Sequence, residues 1–444
     1  MTTPHARAPL GFAAALATVV ANIVGTGVFT TLGFQVLGTT DGFALLAAWG
    51  IGGVIAVAGA LCYGELSAAI RGSGGEYRFL GRIYAPAVGT VAGWVSVAVG
   101  FAAPVALAAM ALGRYAGPLL EIPAGSLAVA AIVAATGVHL LAPAVGGKVQ
   151  VVVTTVKVLL ILAFVAMGLT ASGTALSVAP TAASMGQMTS GAFAISLIFV
   201  SYAYTGFNAA AYFQGEVVNA ERNVPRALVL GTLLVTALYM GLNWVFLRTT
   251  PITELAGQVE IGAIAAGHIF GDAGGRLMSG VIALLLISTI SAMTLAGPRV
   301  IEAMAEDNPP LRPLAQRTAT GSPSRAVLLQ GGLALLFVLT DSFEGILTYA
   351  SFTLNLFMVL AVVGVILLRK REPTLPRPYR VWGYPWTPLF FAAFSSWSLL
   401  VVVRDRPMEA VGGVVTLGVA ALLTWLVAAV PADESGRLSC RWCG

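Results

Sequence analysis

Residues 22–29 read Asn22-Ile23-Val24-Gly25-Thr26-Gly27-Val28-Phe29, and they interrupt, near its middle, an apolar run long enough to cross a membrane as a helix. Inside a bilayer every backbone amide and carbonyl needs a partner, so an unwound segment at that depth survives only where it is buried in protein or lines a polar cavity. A half-helix that starts at such a break directs free N–H groups and the positive end of its dipole at whatever lies ahead. The stretch therefore predicts a small anionic group, such as an amino-acid carboxylate, held near the middle of the membrane.

The rest of the chain agrees with that setting. Of its 444 residues 58% are hydrophobic and 10% charged, against roughly 25% charged in soluble domains. About 20 helical residues cross about 30 Å of hydrocarbon. Runs of that kind lie at 10–34, 42–70, 85–113, 124–143, 149–171, 189–214, 226–249, 276–303, 325–341, 343–369, 387–403 and 409–430, which predicts an all-α polytopic membrane protein of twelve spans. An even number puts both termini on one side. Eighteen of the 24 Lys and Arg fall in the termini and the loops on that side, five fall on the other side, and one lies within a span, so the termini are expected in the cytoplasm and the protein in the cytoplasmic membrane. The net charge of +5 is then a consequence of topology and calls for no nucleic-acid partner. The first span lacks a basic n-region and a small-residue cleavage site, so it is expected to be retained.

Several chemistries are excluded by what is scattered or missing. His5, His139 and His268 form no cluster, and Cys440 and Cys443 stand in the tail with no further ligands nearby. No metal, no cofactor and no catalytic constellation is expected, which argues against an enzyme. No cysteine falls in an external loop of this topology, so no covalent partner subunit is expected. No set of helices presents the continuous polar face of a channel.

Two groups of five spans can be laid over one another, residues 1–171 against 189–370, with 371–444 left as a hairpin and tail. The sixth span contains Phe199-Val200-Ser201-Tyr202-Ala203-Tyr204-Thr205-Gly206-Phe207-Asn208, whose glycine and polar residues interrupt it at about the depth of Gly25 and Gly27. Interrupted spans in matching positions of two halves point to a transporter site at the bilayer midplane. Because five is odd, the second half must be inverted relative to the first.

Four segments now resemble a known family, the amino acid-polyamine-organocation transporters: the Gly25-Thr26-Gly27-Val28-Phe29 break; Gly72-Ser73-Gly74-Gly75-Glu76-Tyr77; Gly215-Glu216 through Asn223-Val224-Pro225-Arg226; and Pro298-Arg299 through Glu306-Asp307. A fifth, Arg377-Pro378-Tyr379-Arg380 with Gly383-Tyr384-Pro385, follows the tenth span. The run Tyr204 to Asn208 is most similar to the branch of L-type amino acid transporters and bacterial exchangers. The resemblance implies the inverted-repeat fold with discontinuous first and sixth spans, and secondary transport of amino acids by alternating access.

For an amino acid at the break, the N–H groups of Thr26, Gly27 and Val28 suit the carboxylate. Carbonyls of Asn22, Ile23 and Val24, joined by those of Tyr202, Ala203 and Tyr204, suit the ammonium. Glycine at 25 and 27 permits close approach and positive φ, and the Thr26 hydroxyl can add a contact. The resemblance places Tyr202 as an aromatic gate over the substrate and Asn208, at the end of the run that includes Thr205, as a polar residue near it. Ser288, Ser291, Tyr349 and Ser351 are candidate liners for side-chain selectivity.

Lys157 is the one cation well inside a span, about nine residues from its inner start and so about 13 Å deep at 1.5 Å per residue. Intramembrane ionisable groups are costly and by default functional. Three readings stay open: alternate protonation that couples proton entry to substrate, a fixed ammonium that steadies the inner half of the first span, where sodium-coupled relatives of the fold bind a cation, or simple snorkelling of the side chain toward the cytoplasmic interface. No Asp or Glu falls at mid-depth of a span; Glu65, Glu216 and Glu302 fall near inner ends, where Glu65 and Glu216 either pair with loop arginines such as Arg71, Arg78 or Arg226 in a cytoplasmic gate or are solvated or packed helix ends. Neutral amino acids are therefore favoured over cationic ones and polyamines. Exchange, proton symport and a non-transporting amino-acid sensor remain the alternatives.

Overall fold

The glycine-bearing interruptions are where the helices break. The computed structural model describes residues 10–141, 147–171, 178–318, 321–340 and 342–429, so His5, Cys440 and Cys443 lie outside the described residues. The first span is a helix at Phe12–Ile23, an unwound stretch, then short helices at Gly27–Thr30 and Leu32–Gln35. The sixth runs as Gly191–Ala203, a turn, and Ala209–Tyr212.

Among the described residues the regular structure is all helical, apart from one isolated bridge between Leu10 and Val217. Ten helices are long and apolar enough to cross a membrane, and the bent pair Ala182–Met188 with Gly191–Ala203 makes an eleventh. The ninth expected span is the apolar helix Ser324–Val338, whose 15 residues fall short of the usual crossing length of about 20. Polar residues set several starts: Asp41 accepts from the Ala44 N–H at 2.7 Å and Ser190 from that of Phe193 at 3.2 Å, pairing amides that a helix start leaves open.

Packing brings the breaks together. The helix Ala220–Thr249 lies along Gly42–Ala69 and against Phe12–Ile23. From its interior the Tyr239 hydroxyl donates to the carbonyl of Ile23 at 2.6 Å and stands 3.2 Å from that of Ala203, one on each broken span. Closeness at this centre depends on missing side chains. A Cβ on Gly27 would lie 2.5 Å from Cα of Ala203, and one on Gly206 2.8 Å from the backbone of Asn22. Gly25 and Gly27 do not take the positive φ expected of them; that conformation belongs to Gly206, at φ 97°.

The end away from the termini is closed over the first span. Gly257 N–H donates to the carbonyl of Gly33 at 2.8 Å, and the Tyr115 hydroxyl donates to that of Phe29 at 2.8 Å while accepting from Gly262 N–H at 3.2 Å. At the opposite end Leu10 N–H donates to the Glu216 carbonyl at 2.8 Å and Val218 N–H to the Leu10 carbonyl at 3.0 Å.

The carboxylate pairings differ from those expected. Glu65, 2% exposed, accepts a two-pronged contact from Arg369 at 2.8 and 2.5 Å and the N–H of Val381 at 2.6 Å, with Arg377 at 3.5 Å. Glu216 pairs with Arg299 at 3.6 Å, Arg71 with Glu221 at 3.6 Å, and Arg78 with Glu306 and Asp307. The Glu65 partners come from the end of the tenth span and the segment after it, which sequence order alone does not bring near the second. Glu65→Ala strands a buried guanidinium, which costs about 3–5 kcal/mol. Its expected result is a clearly lower unfolding temperature in detergent, and an unchanged midpoint would reject this role.

Candidate functional site

At the first break the chain leaves the helix with Val24 at φ −76°, ψ 73°, and Gly25 N–H turns back to the Ile23 carbonyl at 2.8 Å. The next helical turn starts afresh, with Phe29 N–H on the Thr26 carbonyl and Thr31 N–H on that of Gly27, both at 2.9 Å. Among the described residues no acceptor is paired with the N–H groups of Thr26, Gly27 or Val28. Three convergent amides at a helix start are the arrangement that binds a carboxylate.

A cavity of about 80 Å³ lies between the two breaks. Asn22, Ile23, Gly25, Thr26 and Gly27 line it from the first span, and Tyr202, Ala203, Thr205 and Asn208 from the sixth. Of the expected site residues, Val24, Val28 and Tyr204 do not. Val24 turns its carbonyl toward Lys157, Val28 is fully buried, and Tyr204 packs between Trp49 and Tyr239 with its hydroxyl on the Trp49 carbonyl at 3.1 Å. The Tyr202 ring closes one wall with its hydroxyl beside Thr26.

The acceptors expected for the ammonium are partly engaged inside the protein. Ile23 serves Gly25 and Tyr239, Tyr202 serves Thr205 through both its N–H and its hydroxyl, and Val24 serves Lys157. Asn22 keeps its carbonyl, and Ala203 a second lone pair, for an entering donor. Tyr239→Phe removes the hydroxyl shared by Ile23 and Ala203; a net loss of about 1–3 kcal/mol for such buried groups predicts weaker substrate binding together with lower thermal stability. Binding at wild-type strength would mean that the break is held by other contacts.

Lys157 is 2% exposed and stands behind the break, outside the cavity. Its Nζ donates to the Val24 carbonyl at 2.9 Å and to the Thr289 hydroxyl at 3.2 Å, and among the described residues it forms no ion pair.

On the eighth and tenth spans the residues that face the cavity are not the expected liners. Ser291 pairs with His139 at 2.9 Å, Tyr349 with Thr416 at 2.7 Å, and Ser351 donates to the Leu347 carbonyl at 2.7 Å. Thr289, Met293 and Ala296 face the cavity from the eighth span, and Leu354, Phe357 and Met358 from the tenth. The third span presents Ser96, Gly100 and Phe101 where its helix loosens to a π-helical stretch at Ser96–Ala102, a distortion common at functional sites.

The residue most plainly missed is Glu76. It is 4% exposed, lines the cavity, and accepts from the Tyr63 hydroxyl at 2.7 Å and the Asn208 amide at 2.5 Å. A carboxylate is thus present in a site expected to have none. It arrives on the short helix Glu76–Ile83 after the second span, whose buried positions Glu76, Leu80 and Ile83 repeat at helical spacing while Arg82 is exposed. That periodicity was the available signal. The helix is pinned from its other face, with the Tyr77 hydroxyl and Arg78 both on Asp307 at 2.8 and 2.6 Å. Burial, and then the Asp307 carboxylate, hold the Tyr77 phenol well above its ordinary range, so it stays a donor.

Tyr212 and Arg299 line both this cavity and a polar vestibule of about 520 Å³ that includes Ser73, Glu216, Glu302 and Arg317. The site therefore adjoins water on the side of the Leu10–Val217 bridge and is covered on the other. Among the described residues no group of three or more His, Cys, Asp or Glu is placed to hold a metal ion.

A helical membrane bundle with two broken spans around a small cavity, largely apolar with a few polar groups at the breaks, closed at one end and bordered by water at the other, defines a small-molecule transporter. The amino acid permease family model matches residues 10–430, and the chain belongs to that family. It is 30% identical to the serine/threonine exchanger SteT of Bacillus subtilis (strain 168), over 87% of this chain and 89% of that protein. It is 28% identical to the human b(0,+)-type amino acid transporter 1, over 85% and 80% of the two chains. To the mouse large neutral amino acids transporter small subunit 2 it is also 28% identical, over 88% and 77%. The protein is an amino acid transporter, and these relatives are transporters rather than enzymes. One is by name a small subunit, so the expectation of no partner gains no support from the family.

Proposed function

We propose that the protein exchanges small neutral amino acids, serine and threonine among them, across the cytoplasmic membrane by alternating access, with both termini in the cytoplasm. The observation that carries this reading is the set of unpaired N–H groups at Thr26, Gly27 and Val28 opening on an 80 Å³ cavity. At about 10–15 Å³ for each water centre, that space suits a ligand of about five to eight non-hydrogen atoms. Serine and threonine fall within it and arginine does not. In this reading Tyr202 gates the substrate, Asn208 and Thr205 border it, Asn22 and Ala203 take its ammonium, and Lys157 is a fixed cation. Residues 1–171 and 189–370 act as inverted halves, with 371–444 as the appended hairpin. The exchange named for SteT supports antiport over proton symport.

The test is uptake of radiolabelled serine into proteoliposomes, with and without unlabelled serine inside and with and without an inward proton gradient. Uptake is expected to require internal amino acid. Gradient-driven uptake into empty vesicles would instead establish proton symport and reopen Lys157 as the coupling group.

A further inference from the structure

Glu76 has no part in the reading above, yet it is the one carboxylate lining the cavity among the described residues. Its Oε1 already accepts from Tyr63 and Asn208, whereas Oε2 is buried with no hydrogen-bond partner. Leaving a buried acceptor unmet is costly, more so when it is charged. The helix that bears it is fixed by Tyr77 and Arg78, so the carboxylate cannot turn away to water. Its neighbours are uncharged: Tyr63 from the second span, Ser96 from the third, and Asn208 and Tyr212 from the sixth. Among the described residues no Lys or Arg forms an ion pair with it, and Arg299, which lines the same cavity, pairs with Glu216. The Tyr212 hydroxyl stands close enough to the carboxylate to interact with it but completes no hydrogen bond to Oε2, so a donor for that oxygen is one that an entering ligand can bring.

We infer that Glu76 Oε2 accepts a hydrogen bond from the side chain of the transported amino acid, and so selects small hydroxyl-bearing substrates over apolar ones of the same shape. The inference rests on the function proposed above. With the carboxylate on the amides of Thr26 to Val28 and the ammonium on the carbonyls of Asn22 and Ala203, the side chain is the part left to extend toward Asn208 and Glu76. A cavity of about 80 Å³ suits short side chains, among which a hydroxyl is the strongest uncharged donor. A site built to pair with a substrate hydroxyl discriminates strongly against an analogue that lacks one, because its own polar group is then stranded.

Threonine and valine differ by a hydroxyl in place of a methyl and provide the test. In proteoliposome exchange the wild type is expected to favour threonine by at least about tenfold in kcat/KM, and serine likewise over alanine. In Glu76→Gln the remaining oxygen stays with Tyr63 and Asn208 and an amide nitrogen faces the cavity, so the threonine-to-valine ratio is expected to fall by about tenfold. A wild-type ratio near one overturns the inference without recourse to any variant. Equal losses for threonine and valine in Glu76→Gln also overturn it, assigning Glu76 to the shared α-ammonium or to positioning alone. A changed pH profile with an unchanged ratio overturns it in favour of a proton site. Preference for lysine overturns it while sparing the transporter, and no flux of any neutral amino acid overturns both readings.

Discussion

Gly27→Val abolishes substrate binding and exchange, a loss expected to reach at least about 100-fold, while the protein still folds and inserts. The first added carbon would lie 2.5 Å from Cα of Ala203 and 2.6 Å from its Cβ, contacts that a flexible side chain could not relieve because one partner is backbone. Overpacking of this kind costs about 1–3 kcal/mol when neighbours can shift. Here the shift displaces the outer half of the first span from the sixth, and with it the amides that hold the carboxylate. Gly332→Val is the matched control, since a Cβ there meets nothing within 4 Å. Binding measured on purified protein, alongside size-exclusion behaviour, separates a lost site from a lost fold. Near-normal affinity in the Gly27 variant would remove the amides of Thr26 to Val28 from the site.

Lys157→Met lowers exchange by about 10- to 100-fold, equally at every pH tested. Methionine fills the space of the lysine stem but leaves the Val24 carbonyl and the Thr289 hydroxyl without their donor, and hydrogen bonds to a charged group contribute about 1.5–3 kcal/mol each. The loss should appear chiefly as weaker apparent affinity, because the charge acts through the break and not on the substrate itself. A different pattern, in which exchange persists while a proton dependence disappears, would make Lys157 the proton carrier and reject the fixed-cation role.

The parts of this site that were readable in the sequence are those governed by local chemistry. Gly25 and Gly27 in an apolar run, and Gly206 in a second, marked the breaks because glycine and polar residues at that depth have few other uses. Which glycine would take the left-handed backbone was not readable, since it depends on how Gly206 meets Asn22 across two spans. The cavity liners of the eighth span differ from those expected for a geometric reason. A shift of one residue rotates a helical position by about 100°, enough to separate Ser288 from Thr289 and to turn Ser291 toward His139. Glu76 lies outside every apolar run, and a short amphipathic helix after the second span carries it inward. The π-helical stretch at Ser96 left no mark in residue type, as it reflects packing of the third span against the eighth.

The bridge between Leu10 and Val217 leads to a prediction about transport kinetics. It joins the residue leading into Phe12–Ile23 to the segment that follows Ala209–Tyr212, so the vestibule-side halves of both interrupted helices share one lever. Their opposite halves touch separately at Gly27 and Ala203. A carrier whose two doors each swing as one leaf slips rarely, and its stoichiometry stays tight. Cutting the chain back beyond Leu10 would then spare the binding pocket yet let cargo leak through without its counterpart.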